Sequence, residues 1–119
     1  AAASLNIGLA IASSSPTTWV SGHLERLGLA HSFAVLSCAD PGIAGKPDPT
    51  VYLSACQALD VSPQEAVAIE DSTHGVSAAI AAGMRCIAAP GPMTKTMRFD
   101  HATLHVDSLS DVDPGDWLY

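Results

Sequence analysis

The chain has 119 residues, of which 48% are hydrophobic and only 14% are charged, and twelve Asp and Glu outnumber five Lys and Arg to give a formal charge of -7. This length fits one domain or part of one, and the acidic balance argues against nucleic acid or an anionic membrane as a partner. The longest apolar run, near residues 7–12, is far shorter than the ~20 residues of a transmembrane helix, and no basic segment precedes it as in a signal peptide.

The first segment of the chain predicts a strand followed by a helix. Residues 6–12 form a continuous apolar run, which indicates a strand buried on both faces. Ser15 and Pro16 are typical of a helix start, and Gly28 is typical of a helix end. The apolar residues between them have helical spacing: Trp19, Val20, Leu24 and Leu27.

The next segment repeats this order. Residues 33–38 predict a second strand, and residues 39–48 form a loop rich in Gly and Pro. Asp48 and Pro49 then open a second helix. Its apolar positions are Val51, Leu53, Ala55 and Leu59.

Two further strands and an alanine-rich helix follow. The strands are predicted at residues 66–69 and 84–89, with a helix over 75–82 that ends at Gly83. Residues 104–106 predict a fifth strand, and a short helix is expected near 108–112. Strands that alternate with helices indicate a three-layer, Rossmann-like α/β fold, a parallel sheet with helices on both faces.

The cysteines give no sign of a disulfide framework or a zinc site. Cys38, Cys56 and Cys86 are odd in number, widely spaced and free of any C-x-x-C pattern. We therefore expect buried, reduced thiols and a cytoplasmic protein.

Candidate functional residues follow the first two predicted strands. In parallel α/β sheets, ligands bind beyond the carboxyl ends of the strands. Ser13, Ser14 and Ser15 stand there at a helix start and predict an anion site, although a plain serine N-cap is the alternative. Lys46 lies in the sequence GKPDP, whose restricted backbone should hold its ammonium group in a fixed direction. The alternative is an ordinary solvated lysine in a loop.

Two carboxylates follow the third strand. Glu70 and Asp71 suit a hard cation such as Mg²⁺, which prefers oxygen ligands. The alternative is that Asp71 or Ser72 caps the next helix while Glu70 lies in solvent. Because all three features lie at the ends of successive strands, they would bring together an anion cradle, a cation and a metal site.

These segments resemble the haloacid dehalogenase (HAD) superfamily, in particular its β-phosphoglucomutase-like branch of sugar-phosphate phosphatases and mutases. LAIASSSP (residues 9–16) is similar to the second family motif, GKPDP (45–49) to the third, and AVAIEDSTHGVSAAIAAGM (66–84) to the fourth. The resemblance implies that Ser13 binds the transferring phosphoryl oxygen beside the backbone N–H of Ser14. It also implies that Lys46 neutralises the phosphate and the nucleophile, and that Asp71, with Glu70, holds Mg²⁺.

The chain departs from the family pattern in two respects, the aspartate motif and the cap. The family draws its nucleophile and general acid/base from a D-x-D-G-T/V motif on an N-terminal strand, but no aspartate precedes Ser13. The local D-x-D at Asp111 and Asp113 follows no apolar strand. We therefore expect residues 1–119 to be the C-terminal portion of a HAD-like catalytic core, inactive without a preceding segment that carries the nucleophile strand and the substrate-selecting cap.

The leading functional hypothesis is a Mg²⁺-dependent phosphomonoester hydrolase. Its substrate would be a small phosphorylated metabolite such as a sugar phosphate, and it would form an aspartyl-phosphate on a nucleophile outside this chain. One alternative is a β-phosphoglucomutase-like phosphotransferase. Another is a non-catalytic α/β binding module in which the serines cap a helix and Lys46 is structural.

Overall fold

Strands and helices alternate along the chain in a computed structural model that describes residue 2 and residues 4–118. The strands are short, and each of the first two is followed by a helix. The elements are β1 (Ala10–Ser13), α1 (Thr17–Arg26), β2 (Val35–Cys38), α2 (Thr50–Ala58), β3 (Val67–Glu70), α3 (Thr73–Ala81), β4 (Arg85–Ala88), β5 (Leu104–His105) and α4 (Pro114–Leu118). Two 3-10 turns, Pro63–Glu65 and Leu109–Asp111, complete them.

The five strands form two parallel sheets. β1 pairs with β2, so that Ser13 lies opposite Cys38. β3 pairs with β4, which pairs with β5, and Glu70 lies opposite Ala88. Within the described residues β1 and β3 are not hydrogen-bonded to each other. The parallel pairing confirms the predicted α/β fold class.

Two apolar clusters lie beneath the helices. The larger cluster joins α2 and α3 to β3 and β4, and Ala12 of β1 packs at its margin. The smaller cluster packs Val20 and Leu24 of α1 against Cys38 at the end of β2. Burial of these apolar side chains is the main force that stabilises such a fold. Because α2 also contacts β1 and β2, it holds the two sheets together.

The first strand is shorter and less buried than the sequence predicts. It begins at Ala10 rather than at residue 6, because its pairing with β2 starts at Ala10 opposite Val35, and the chain turns earlier at Asn6, whose φ is 57°. All four residues of β1 are half-buried. The prediction of a strand buried on both faces is therefore wrong within the described residues, where β1 has a strand neighbour on one edge only.

The faces of the first two helices also differ from prediction. Val20 and Leu24 are buried as expected, whereas Trp19 is 58% exposed and Leu27 is 67% exposed. In α2, Leu53 is exposed, while Tyr52 is buried in its place. Helical spacing fixes which residues share a face, but the neighbouring elements decide how wide the buried face is.

Gly28 and Gly83 end α1 and α3, as predicted. Their φ angles are 70° and 89°, in the left-handed region that glycine adopts at little cost. The three cysteines are free and buried, also as predicted. None of the helices within the described part of the chain is long and apolar enough to cross a bilayer.

Candidate functional site

Ser13, the last residue of β1, and Ser14 and Ser15, which follow it, do not cap α1. Pro16 is the N-cap residue and makes no side-chain cap bond. Instead, the carboxylate of Asp40, in the loop after β2, accepts hydrogen bonds from the Thr17 backbone N–H at 2.8 Å and from the Thr17 hydroxyl at 2.6 Å. These bonds lower the pKa of Asp40. The plain N-cap alternative for the serines is therefore wrong.

Ser13 and Ser14 take part in local hydrogen bonds at the carboxyl end of β1. The Ser13 hydroxyl accepts from the Ser15 backbone N–H at 3.0 Å. The Ser14 hydroxyl accepts from the Lys46 backbone N–H, also at 3.0 Å, although the two residues are 32 positions apart. This contact links the loop after β1 to the loop after β2.

Gly45 allows this close approach. A Cβ atom at Gly45 would lie 3.2 Å from the Ser14 Oγ and 3.4 Å from its Cβ, which is tighter than ordinary van der Waals contact. The glycine before Lys46 therefore lets the loop lie directly against Ser14. The sequence pattern predicted a rigid loop at GKPDP, and the structure adds a steric reason for glycine at position 45.

The Lys46 ammonium group forms an ion pair with the Glu70 carboxylate at Oε1. Both groups are largely shielded from water, because the Lys46 side chain is 13% exposed and that of Glu70 is 5% exposed. An ion pair in such surroundings is screened less by salt than a surface pair. The lysine is thus held in place, not solvated, and the solvated-loop alternative is wrong.

Tyr52 of α2 contacts both members of this pair. Its hydroxyl donates a hydrogen bond to the same Glu70 Oε1, and the Lys46 Nζ lies 5.0 Å from the centre of its ring. Burial, and then the nearby Glu70 charge, raise the pKa of Tyr52 far above its ordinary value. The hydroxyl therefore keeps its proton and remains a donor.

Gly75, in the first turn of α3, leaves space for the Glu70 carboxyl group. A Cβ at this position would overlap that group, most closely at its Oε2 atom. Gly75 itself is buried, and its backbone N–H donates to the Ser72 hydroxyl at 3.1 Å. The absence of a side chain at Gly75 is therefore a condition for the position of Glu70.

Glu70 and Asp71 have different surroundings although they are adjacent. Asp71 is exposed, whereas Glu70 is buried and hydrogen-bonded. Ser72 caps α3, as one alternative predicted, but that alternative also placed Glu70 in solvent and is wrong on this point. The exposed Asp71 carboxylate is a hard oxygen donor of the kind that Mg²⁺ prefers.

The structure thus brings together Ser14, Lys46 and Glu70 at the carboxyl ends of β1 and β3. The sequence singled out these three residues, together with Ser13 and Asp71. It missed Tyr52 and Gly75, which act through their neighbours. A signal for Tyr52 was present in its spacing, since residues 52, 55 and 56 share one face of a helix.

Residues 2–89 match the protein family described as haloacid dehalogenase-like hydrolase. Among curated relatives, YhcW of Bacillus subtilis (strain 168) is 41% identical over 113 residues, which are 95% of this chain and 51% of that protein. Hexitol phosphatase B of Escherichia coli (strain K12) is 37% identical over 91% of this chain and 49% of its own length.

Solved structures include a similar fold. The crystal structure of CbbY from Rhodobacter sphaeroides in complex with phosphate has 36% sequence identity and a TM-score of 0.84, over 90% of this chain and 49% of that one. The chain therefore spans about half the length of the relatives that it matches.

Proposed function

Because the chain belongs to the haloacid dehalogenase-like hydrolase family, we propose that residues 1–119 form the C-terminal portion of the catalytic core of a Mg²⁺-dependent phosphomonoester hydrolase. Its proposed substrate is a small phosphorylated metabolite, specifically a phosphorylated sugar or sugar alcohol. The names of the relatives support this class, since one is a hexitol phosphatase and another was crystallised with phosphate.

The observation that carries the proposal is the position of Lys46. Its ammonium group lies at the carboxyl edge of the strands, anchored by Ser14 through the backbone and by Glu70 through the side chain. A fixed cation at this edge can stabilise the charge that builds up on a transferring phosphoryl group. We assign to Lys46 the neutralisation of phosphate, and to Ser13 and Ser14 the binding of its oxygens.

We assign Mg²⁺ binding to Asp71 and Glu70. The donor chemistry fits this ion, because Mg²⁺ commonly uses one or two protein carboxylates and completes its shell with water and phosphate oxygens. Asp71 is exposed and free to offer its carboxylate to solvent. Glu70 would contribute with less freedom, since Lys46 and Tyr52 already bind its Oε1. When bound, Mg²⁺ would polarise the phosphoryl oxygens.

We further propose that the attacking aspartate lies outside these 119 residues, on a strand between β1 and β3. Two observations support this place. β1 and β3 each have an edge without a strand partner in the described residues. On β3, Ile69 is 56% exposed, which is unusual for a large apolar residue of a parallel sheet.

The test is phosphate release by the full-length protein from a panel of sugar and sugar-alcohol phosphates, with Mg²⁺ and with EDTA. We expect activity that EDTA abolishes. Lys46→Ala and Asp71→Ala should each lower kcat by about 100-fold or more, because Lys46→Ala removes a cation that stabilises the transition state and Asp71→Ala removes a carboxylate assigned to hold Mg²⁺. Lys95→Ala is the matched control, since Lys95 is an exposed lysine that forms no ion pair in the described part of the chain.

Activity within a few-fold of wild type in Lys46→Ala and Asp71→Ala would contradict the assignment of these residues. A separate experiment tests whether the nucleophile lies outside these 119 residues. Residues 1–119 alone should show no turnover, and robust Mg²⁺-dependent hydrolysis by that chain would show that the attacking group lies within it.

A further inference from the structure

One carboxylate oxygen of Glu70 joins Lys46 and Tyr52 into a single hydrogen-bonded group. Lys46 Nζ and the Tyr52 hydroxyl both bind Oε1 of Glu70. The three residues come from three elements: the loop after β2, the end of β3, and α2. Their joint arrangement therefore depends on how α2 packs against the sheets.

Tyr52 restrains Lys46 in two ways. Its hydroxyl holds the carboxylate that pairs with the ammonium group, and its ring lies 5.0 Å from Nζ, within the range of a cation–π contact. Tyr52 is only 7% exposed and packs in the larger core cluster, so its ring has little freedom to move. A long, flexible lysine is thereby confined to one position.

The Glu70 carboxyl group has little space to find another position. Gly75 lies against it so closely that a single Cβ there would overlap it. Without the Tyr52 hydroxyl, the carboxylate would lose one of its two partners while remaining buried. Its position and the Lys46 position would then be less well defined.

We propose that Tyr52 is a positioning residue that holds Glu70, and through Glu70 the Lys46 ammonium group, in the geometry required for phosphoryl transfer. This inference rests on the proposed function. A helix residue in the core thus tunes the site without contact with substrate. The family resemblance and the sequence motifs assign no such role to Tyr52.

The test uses Tyr52→Phe in the full-length protein with p-nitrophenyl phosphate and Mg²⁺. Phenylalanine keeps the ring and removes only the hydroxyl. We expect kcat to fall about 10- to 100-fold, as is typical when a residue that orients a catalytic group is lost, with a smaller change in KM. Ser37→Ala is the matched control, because the Ser37 hydroxyl is also buried and bonds α2, at the Val51 carbonyl, but contacts neither Lys46 nor Glu70.

A double variant distinguishes positioning from a general loss of stability. If Tyr52 acts through Glu70, Tyr52→Phe should lower kcat by less than about twofold in a Glu70→Gln background. Urea unfolding of each variant provides a readout that is independent of activity. Tyr52→Phe should be no less stable than Ser37→Ala, although its kcat is far lower.

Three results would overturn the inference: wild-type kcat in Tyr52→Phe, an equal loss of kcat in Ser37→Ala, or full additivity with Glu70→Gln. Lys46→Ala separates this failure from that of the proposed function. If Lys46→Ala is inactive and Tyr52→Phe keeps the kcat of wild type, only the inference about Tyr52 fails. If Lys46→Ala keeps its activity, the proposed function fails first.

Discussion

Replacement of Gly75 by alanine tests the packing of Glu70 directly. Gly75 lies in the first turn of α3, where alanine would ordinarily be favoured, because glycine loses more backbone entropy when a helix forms. On this ground alone Gly75→Ala should stabilise the protein by about 0.5–1 kcal/mol. The structure predicts the opposite sign, because the new methyl group would overlap the Glu70 carboxyl group.

The magnitude follows from two opposing contributions. Insertion of a methyl group into a packed interior costs about 1–3 kcal/mol. The gain in helix propensity offsets less than 1 kcal/mol of this. We therefore expect a net loss of about 1–2 kcal/mol in the free energy of unfolding. The loss would be larger if Glu70 also left Lys46, because breaking a buried ion pair on one side costs about 3–5 kcal/mol.

Gly22→Ala is the matched control for this experiment. Gly22 is an interior residue of α1, and no atom lies within 4 Å of a Cβ built on it. This variant should gain about 0.5–1 kcal/mol from helix propensity alone. The two Gly→Ala substitutions are therefore expected to change the free energy of unfolding in opposite directions.

The assay is urea unfolding of the full-length protein, monitored by circular dichroism. It is applied to Gly75→Ala, to Gly22→Ala, to Glu70→Ala and to the double variant Glu70→Ala/Gly75→Ala. Removal of the Glu70 carboxyl group should turn the loss caused by Gly75→Ala into a gain similar to that of Gly22→Ala. A stabilising effect of Gly75→Ala in the presence of Glu70 would refute the reasoning. So would a loss of the same size in the Glu70→Ala background.

Two other predictions concern ionisable groups. The hydrogen bonds from Thr17 lower the pKa of Asp40 in the folded state. The stability that these bonds contribute is therefore fully present above the unfolded-state pKa of about 3.9, and it is lost as the pH falls through the pKa of the folded state. The urea midpoint of wild type should therefore fall more steeply than that of Asp40→Ala between about pH 5 and pH 2.5. Identical pH profiles would contradict the role of Asp40 as the cap of α1. The second prediction concerns Cys86, whose pKa is raised to about 12 by burial and then by the Glu70 charge. In the native protein the Cys86 thiol should therefore resist alkylation by iodoacetamide at pH 8, and it should react only on unfolding, as measured by mass spectrometry. Rapid alkylation of Cys86 in the native protein would contradict this prediction.

Local sequence patterns were sufficient to predict the order of the five strands and of the first three helices, and to single out residues that meet at the carboxyl ends of the strands. Alternation of apolar runs with helical spacing predicted the parallel α/β fold, since both periods are set by local backbone geometry. Ser14 and Lys46 follow β1 and β2, and Glu70 is the last residue of β3. In a parallel α/β fold the carboxyl ends of the strands lie on the same side. Their proximity in the structure follows from this topology.

The contacts that hold these residues are long-range, and the sequence did not predict them. Asp40 caps α1 from 23 positions away, where a local signal pointed to Ser15. Similarly, the hydroxyl of Tyr52 reaches Glu70 across 18 positions. Such partners depend on how the elements pack together, and no local pattern records that arrangement.

By itself the sequence determined the fold class, the helix ends at Gly28 and Gly83, and the residues that meet at the carboxyl edge of the strands. These properties depend on residue type and on the short-range period of the chain. Only the tertiary structure decided that Glu70 is buried beside Gly75, and that it binds Lys46 and Tyr52 through one oxygen. The physical reason is that burial and hydrogen bonding of a side chain depend on which distant elements pack against it.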